Sequence, residues 1–480
     1  MMDSTIDRAV AYLPDLLYTG GRFESGVALV CDGDGRITNL MRETEGVSKV
    51  VRLRGRAMLP GLVNAHSHAF QRVIRGRTER RTSAHDSFWT WREMMYSAAT
   101  RLTPEDIFDA SRMAFLEMAL TGITSVGEFH YLHRAPDGSA YDDPNLTAKM
   151  VIAAARDVGI RIALLRVAYA RSGYAVEADA RQLRFIEAEP ETYLRHTELL
   201  RSELARDDSQ TAWIGIAPHS VRAVPLNYLR EIIGYSATTT QNSKLKTQNS
   251  LMPFHIHVAE QPAEVRACIE EYGRTPVAFL YSEGLLTHNF TGIHAVHITP
   301  DEVQLLAHAR ATVCACPTTE RNLGDGIVPA DKLFAEGVRV ALGTDSHAQI
   351  DLLEDARELE YHLRLEKLER AVLASADDEK LSLATRLFDC ATLNGAQSIK
   401  APSGKLEPGF PADFFTVALD DPSIAGATTD DLLAALVFGL ARTAVRDVFV
   451  GGKQIVNDGQ HEAQRETIEK FAALQRRLWS

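Results

Sequence analysis

The sequence predicts an α/β protein in which a (β/α)₈ barrel lies between the two ends of the chain, and the ends join as one small sheet domain. Three observations carry this reading. From about residue 57 to residue 400, eight short β-branched runs alternate with stretches of helical periodicity, a pattern that favours a barrel over an open doubly wound sheet. Both ends of the chain read as strands. With 480 residues, 45% of them hydrophobic and 24% charged, the chain can bury a sizeable core and has no compositional bias toward disorder.

Taken in order, "GVALVCDGDGRITNL" before residue 57 reads as a hairpin around a Gly-Asp-Gly turn. The barrel runs are "AMLPGLVNAH", "GITSVGEFHYL", "RIALLRVAYA", "WIGIAPHSV", "FHIHVAE", "FTGIHAVHI", "ATVCACPTTE" and "VRVALGTDS". Among the intervening helices, "DLLEDARELEYHLRLEKLER" carries Leu352, Leu353, Ala356 and Leu359 on an apolar face and an i,i+4 pair of Glu360 with Arg364. Residues 236–250, "SATTTQNSKLKTQNS", break the pattern. Almost wholly polar, they cannot bury enough apolar surface to offset their ordering entropy, so a flexible surface insertion is expected. Beyond residue 403, "GKLEPGFPADFFTVAL" and "VRDVFVGGKQIVNDG" are further strands. The expected boundaries are 1–57 and 401–480 for the terminal sheet domain, the latter with a final helix, and 58–400 for the barrel.

Charge and cysteine usage narrow the function. Lys and Arg total 52 against 64 Asp and Glu, a formal charge of −12, which argues against nucleic acid or an anionic membrane as the main partner. The opening residues lack a basic start with a long apolar stretch, and no run is long enough to span a bilayer, so the cytoplasm is the expected compartment. Five scattered cysteines form no disulfide framework and no paired Cys-x-x-Cys zinc site. Cys314 and Cys316 read as packed, reduced thiols on one face of a strand.

Histidines and carboxylates at the strand ends carry the chemistry. His66 and His68 are two apart, so on a strand both imidazoles point to one side and can converge on one ion. They end a run preceded by "LPG", and the C-terminal strand ends are where a barrel builds its active site. "HIHVAEQ" adds His257 with Glu260 three residues on; His255 is the other possible ligand, but His257 lies nearer the strand end and His255 deeper in the core. "GIHAVHITPDE" offers His294 and His297, and "VRVALGTDS" runs into Asp345. Three histidines and a carboxylate from different strand ends match a zinc-type hydrolytic site with an open position for water. A divalent ion brings the pKa of such a water down toward about 7. Glu260 and Asp345 are the candidates to accept its proton and deliver one to a leaving amine. None of the strand runs contains a lysine, which disfavours a two-metal site bridged by a modified lysine.

"LPGLVNAHSH", "HVAE", "HAVH", "GTDS" and the terminal "GKLEPGFPADF" with "VFVGGKQIVNDG" together resemble the amidohydrolase superfamily, from about residue 20 to residue 460. The resemblance implies a distorted (β/α)₈ TIM-type barrel with a small β-sandwich made by both termini. "NAHSHAFQRVIRGRTE", "DSFWTWREMMY", "GEFHYLHR", "APHSVRAV" and "CPTTERNLGDG" look like the formimidoylglutamate deiminases of histidine degradation. That family converts N-formimino-L-glutamate and water into N-formyl-L-glutamate and ammonia. Carried across, the pattern implies that His66, His68, His257 and Asp345 bind one divalent ion, with zinc expected. It also implies that Glu260 shuttles the proton and that His294 polarises water or stabilises the tetrahedral intermediate. Gln71, Arg92, Tyr131, His219 and Arg222 match substrate contacts, and a homodimer is expected.

Arginine suits a substrate with two carboxylates, because its planar fork makes paired charge-assisted hydrogen bonds. Arg92 and Arg222 fit that role, whereas Arg72, Arg75, Arg77, Arg80 and Arg81 read as a solvated loop. "FWTW" reads as packing over the barrel mouth; as a stacking platform it would instead suit a flat heterocycle. The competing functions are a deaminase of a guanine- or adenosine-like heterocycle or of a guanidino acid, and, more remotely, a catalytically silent barrel with an assembly role. Glu260 and His294 beside a complete ligand set speak against the silent barrel.

Overall fold

A computed structural model of the chain describes residues 9–79, 88–174, 176, 179–207, 209–242, 252–375 and 382–480. The N-terminal strands are β1 (Val10–Thr19), β2 (Arg22–Ser25), β3 (Ala28–Cys31), β4 (Ile37–Met41) and β5 (Lys49–Pro60). Eight barrel strands follow: β6 (Leu62–Ser67), β7 (Ile123–His130), β8 (Arg161–Ala168), β9 (Ala212–Pro218), β10 (Phe254–Val258), β11 (Phe290–His294), β12 (Thr312–Ala315) and β13 (Arg339–Leu342). The C-terminal strands are β14 (Phe414–Ala418), β15 (Val445–Val450), β16 (Lys453–Asn457) and β17 (Gln460–His461).

The two ends of the chain meet where β14 runs antiparallel to β5, with Phe414 opposite Pro60 and Ala418 opposite Arg56. Hydrogen bonding then continues through nine strands, in the order β17-β16-β15-β14-β5-β1-β3-β4 with β2 on β1. Phe414 and Phe449 stack at 4.4 Å, and Tyr12 meets both edge-on. At the β3–β4 turn, Asp32 Oδ1 accepts from the backbone N–H of Asp34 and Arg36. Gly35 sits there at φ 75°, where a Cβ would come within 1.8 Å of Gly451 O, so no other residue fits.

β6 to β13 pair in parallel in strict chain order, each strand followed by a helix. The run "AMLPGLVNAH" proves to be two strands, since Ala57–Pro60 completes β5 and Leu62–Ser67 forms β6. Gly61 makes the change of direction; a Cβ on it would lie 2.2 Å from Thr124 Oγ1. The barrel closes between β13 and β6 through a parallel bridge of Ser67 with Asp345. It is distorted between β9 and β10, where Phe254 opposite Ile216 is the in-register pair and contact resumes at a Ser220–His257 bridge. Among the described residues no helix is long and apolar enough to cross a membrane.

Two expectations need correction. Residues 236–242 continue the helix Leu226–Asn242 instead of leaving the fold as a loop, because a nucleated helix gains one hydrogen bond per residue whatever its polarity. Residues 243–250 lie outside the described residues. The arginines after β6 are not simply solvated: Arg72 Nε and Arg75 Nη1 hold the two oxygens of Glu117 at 2.6 and 2.7 Å, and Glu117 is only 5% exposed. Arg77 stacks on Trp479 and bonds Gln475 from the C-terminal helix Gln464–Trp479. Arg80 and Arg81 lie outside the described residues.

Barrel and terminal sheet are tied by one buried ion pair. Arg161 Nε and Nη2 hold Asp413 at 2.7 and 3.1 Å, and Asp413 also accepts from Gly451 N. Replacing Asp413 by Ala strands a buried guanidinium, so a loss of about 3–5 kcal/mol is expected, read as a lower urea midpoint. Arg161→Met in the Asp413→Leu background should recover part of it; an unchanged midpoint for Asp413→Ala would show that the pair does not join the two units.

Candidate active site

Four side chains converge at the C-terminal end of the barrel. His66 is the last residue but one of β6 and His68 follows the strand, His257 lies on β10, and Asp345 comes three residues after β13. All four are buried, and one ligand atom from each lies within 4.8 Å of the others. Asp345 Oδ1 is 3.3 Å from Nε2 of both His66 and His68, and His257 Nε2 is 3.2 Å from His66 Nε2. His68 Nδ1 bonds Phe129 O at 2.9 Å, and His257 Nδ1 bonds His219 O at 3.0 Å. A carbonyl only accepts, so both Nδ1 atoms carry the proton and both Nε2 atoms present a lone pair to the same point. Lone pairs and a carboxylate facing one another in a dry site repel unless a cation lies between them, and this donor set fits one divalent ion.

Burial holds His66 low, at about 3. For Asp345 burial alone would raise the carboxyl, but the neighbouring imidazoles His66 and His294 carry it well below the usual range. His294 ends β11 with Nε2 3.8 Å from Glu260 Oε1 and 3.9 Å from Asp345 Oδ2, and with Nδ1 3.3 Å from Glu320 Oε1. Desolvation opposes its charge, yet Glu260 and Glu320 prevail and raise its pKa well above the ordinary histidine value. Glu260 is pushed up to about 7, chiefly by burial. The backbone here is strained, with φ of 51° at Ala259, 71° at His294, 51° at Ala295 and 44° at Asp345.

The two histidines left open in the sequence turn elsewhere. His255 Nε2 bonds Ser398 O at 3.1 Å in the core, and His297 Nε2 bonds Asp325 O at 2.8 Å. Cys314 and Cys316 are buried and free, but β12 stops at Ala315, so Cys316 is not on the strand. Its thiol joins His294 and Glu320 in a second group of mutually close ligand atoms. No lysine occurs in β6 to β13.

A second layer locks the ligands from behind. Glu128 accepts from Ser67 Oγ at 2.5 Å and from Ala69 N at 2.7 Å, gripping the side chain before His68 and the backbone after it. Ser67 Oγ also meets His347 Nε2, and His347 Nδ1 meets Thr344 Oγ1. Asn64 spans the seam, donating to Thr344 Oγ1 and accepting from Thr344 N.

Gln71, Arg92, Tyr131, His219 and Arg222 all line one pocket above this group, together with His68, His257, Glu260, His294 and Asp345; His66 lies beneath it, fully buried. Gln71 Nε2 donates to Tyr131 Oη at 3.0 Å, while its Oε1 is buried without a partner. Arg92 lies on the helix Phe88–Ala99, its guanidinium 4.4 Å over the Trp89 ring and its buried Nε unpaired. The His219 ring sits 4.7 Å from Tyr169 and 4.9 Å from His257. Arg222 Nη1 donates to Ser172 O. Its pKa is raised despite burial, with Tyr169, Tyr96 and the acid side of the pocket acting against desolvation. Phe88 and Trp91 of "FWTW" also line the pocket, so this stretch is wall as well as packing. Sequence reasoning missed Tyr96, Tyr169, Phe185 and Glu320. For Tyr96 a signal existed, since it lies one helical turn after Arg92; the others have none without the fold.

The Amidohydrolase family profile matches residues 57–455. Over 421 residues the chain is 37% identical to a formimidoylglutamate deiminase of Pseudomonas aeruginosa, covering 88% of this chain and 89% of that protein. An 8-oxoguanine deaminase of the same species is 28% identical, with 94% of each chain covered. Among solved structures, an amidohydrolase from Brucella melitensis superposes with a TM-score of 0.86 at 32% identity, covering 98% of this chain and all of that one.

Metal analysis tests the ligand group. The purified protein should carry about one divalent ion per chain, and Asp345→Ala should lose it. A Cβ on Gly343 would press to 2.7 Å from His66 Cβ and 2.9 Å from His66 O. Gly343→Ala should therefore keep the fold but weaken metal binding about 10–100-fold, as disturbed ligand support does elsewhere. Wild-type affinity in both variants would remove the metal from this group.

Proposed function

Because this chain belongs to the amidohydrolase family, matched over residues 57–455, we propose that it hydrolyses the formimino group of N-formimino-L-glutamate, releasing ammonia and leaving N-formyl-L-glutamate. The observation that carries this is a pocket lined by two chemistries: proton-handling groups with metal-type ligands, and the guanidiniums of Arg92 and Arg222. The 37% identity to a formimidoylglutamate deiminase supports the same reading.

His66, His68, His257 and Asp345 are the residues that would hold the ion, and three imidazoles with one carboxylate suit zinc. When bound, the ion supplies a water that loses its proton near neutral pH. Arg92 and Arg222 bind the carboxylates of the substrate and so orient the imino carbon toward Glu260 and His294. As water adds to that carbon, Glu260 accepts its proton; a carboxyl near 7 is matched to both taking and returning a proton. His294, held charged between Glu260 and Glu320, stabilises negative charge developing on the oxygen that adds. Glu260 returns this first proton to the imino nitrogen, Asp345 takes the second from the added hydroxyl and passes it to the same nitrogen, and the C–N bond breaks as the formyl C=O forms, so that the nitrogen leaves as ammonia. The reading includes a place in histidine degradation, a cytoplasmic setting and a homodimer.

A second reading, deamination of a heterocycle, draws on Phe88 and Trp91 at the pocket wall and on the likeness to an 8-oxoguanine deaminase. Ammonia release by the zinc-loaded protein separates the two. N-formimino-L-glutamate should be the preferred substrate over guanine, 8-oxoguanine and adenosine. No ammonia above background from it, with the ion confirmed bound, would sink the first reading. Glu260→Gln should cost about 10²–10⁴ in turnover while retaining the metal; undiminished turnover would refute the shuttle.

A further inference from the structure

Two buried tyrosines on the pocket wall, and the buried glutamine that bonds both, take no part in the steps above. Tyr96 lies on the helix Phe88–Ala99, Tyr169 directly follows β8, and Gln182 ends the short 3-10 helix Ala180–Gln182. They are 3%, 2% and 2% exposed. Gln182 Nε2 donates to Tyr96 Oη at 2.5 Å and to Tyr169 Oη at 2.8 Å. An amide nitrogen has two hydrogens, and both are committed here. Each phenol has accepted a hydrogen bond and still has its own proton to donate. The Tyr96 hydroxyl lies within reach of Tyr169, so its proton can go to the Tyr169 oxygen. That leaves the Tyr169 proton without a further hydroxyl to receive it.

The surroundings of these hydroxyls are rich in donors and poor in acceptors. Arg92 and Arg222 line the same pocket, and both interact electrostatically with Tyr96 and Tyr169. Among the described residues neither arginine forms an ion pair, and Arg92 Nε is buried without a partner. Burial raises the Tyr96 hydroxyl above its ordinary value, so it remains protonated and a donor. The loop that carries Gln182 is fastened to the helix that carries Arg92 and Tyr96. Arg181 is paired with Glu93 of that helix and with Asp179 of its own loop.

We propose that Gln182 is a positioning residue that fixes the Tyr96–Tyr169 pair so that the Tyr169 hydroxyl is left as a donor, and that with Arg92 and Arg222 this hydroxyl forms a subsite selecting a carboxylate over a neutral amide. This rests on the substrate reading given above and goes beyond it in assigning the discrimination to a tyrosine pair oriented by an amide. A carboxylate can accept from Tyr169 and from both arginines. A carboxamide in its place presents an NH₂ to donors and leaves buried hydrogens unmatched.

The test compares wild type with Gln182→Met, Tyr169→Phe and the double variant, each with its metal content measured. KM and kcat are read for N-formimino-L-glutamate and for the analogue with a side-chain carboxamide, N-formimino-L-glutamine. Gln182→Met should raise KM for the acid about tenfold, the scale of one hydrogen bond to a charged group, and raise it more than it lowers kcat. Preference for acid over amide should fall by a similar factor. In the Tyr169→Phe background, Gln182→Met should add less than about twofold, because the two act as a unit. Glutarate binding by titration calorimetry should weaken about tenfold in Gln182→Met, with or without turnover. If wild type releases no ammonia, the substrate reading fails and the glutarate titration still decides the subsite. An unchanged KM and glutarate affinity in Gln182→Met, or a fully additive double variant, would overturn the role of Gln182.

Discussion

The barrel closes through the backbones of its own ligands. His68 N donates to Asp345 O, and Asp345 N donates to His66 O, both at 3.0 Å. The last strand is thus joined to the first at the residues whose side chains form the metal-type group. Ligand spacing and barrel closure therefore become one constraint, and neither can shift without the other. Gly343 shows how tight the seam is, since even a Cβ there would press on His66. Asn64 and Thr344 stitch the same seam just below, and Glu128 fixes the amide that follows His68. A site built this way is preorganised by the fold, so the ligands lose little further freedom when they close on an ion.

Strain collects where these strands end. His294, Ala295, Ala259 and Asp345 all hold positive φ without being glycine, a conformation that persists only where the surroundings over-determine it. At His294 the imidazole is held between Glu260 and Glu320, and at Asp345 the backbone is held at both N and O by β6 and the residue after it. The opening between β9 and β10 serves the site as well. Where the ladder lapses after Phe254, His219 O is left to receive both the backbone N and the Nδ1 of His257. One carbonyl sets the position and the tautomer of a ligand.

The pocket draws its charges from different elements. Glu260, Asp345 and the metal-type imidazoles come from the ends of the barrel strands, while the arginines are contributed by the helix Phe88–Ala99 and the turn after β9. On the proposed reading the arginines hold the carboxylates of the substrate and leave its amidine-like end to Glu260 and His294, which orients it before any chemistry begins. A flat uncharged heterocycle would leave the arginines unmatched, a cost set by their burial.

Much of this was legible in the sequence because its periodicities are local. A spacing of two puts His66 and His68 on one side of a strand wherever the strand lies, and eight β-branched runs separated by helices leave few alternatives to a barrel. The i,i+4 pair of Glu360 with Arg364 is equally local and is present at 2.6 Å. Depth and partnership across the chain were not legible. His255 and His257 lie two residues apart along β10, and only the barrel decides which reaches the site. Arg72 and Arg75 read as solvated because Glu117, which pairs with both, lies more than 40 residues away. Tyr96, Tyr169 and Gln182 come from three separate elements and carry no common motif. A sequence states which residues share a face; which strand ends face one another is settled only when the sheet curls and closes, because that closure is a property of the whole ring.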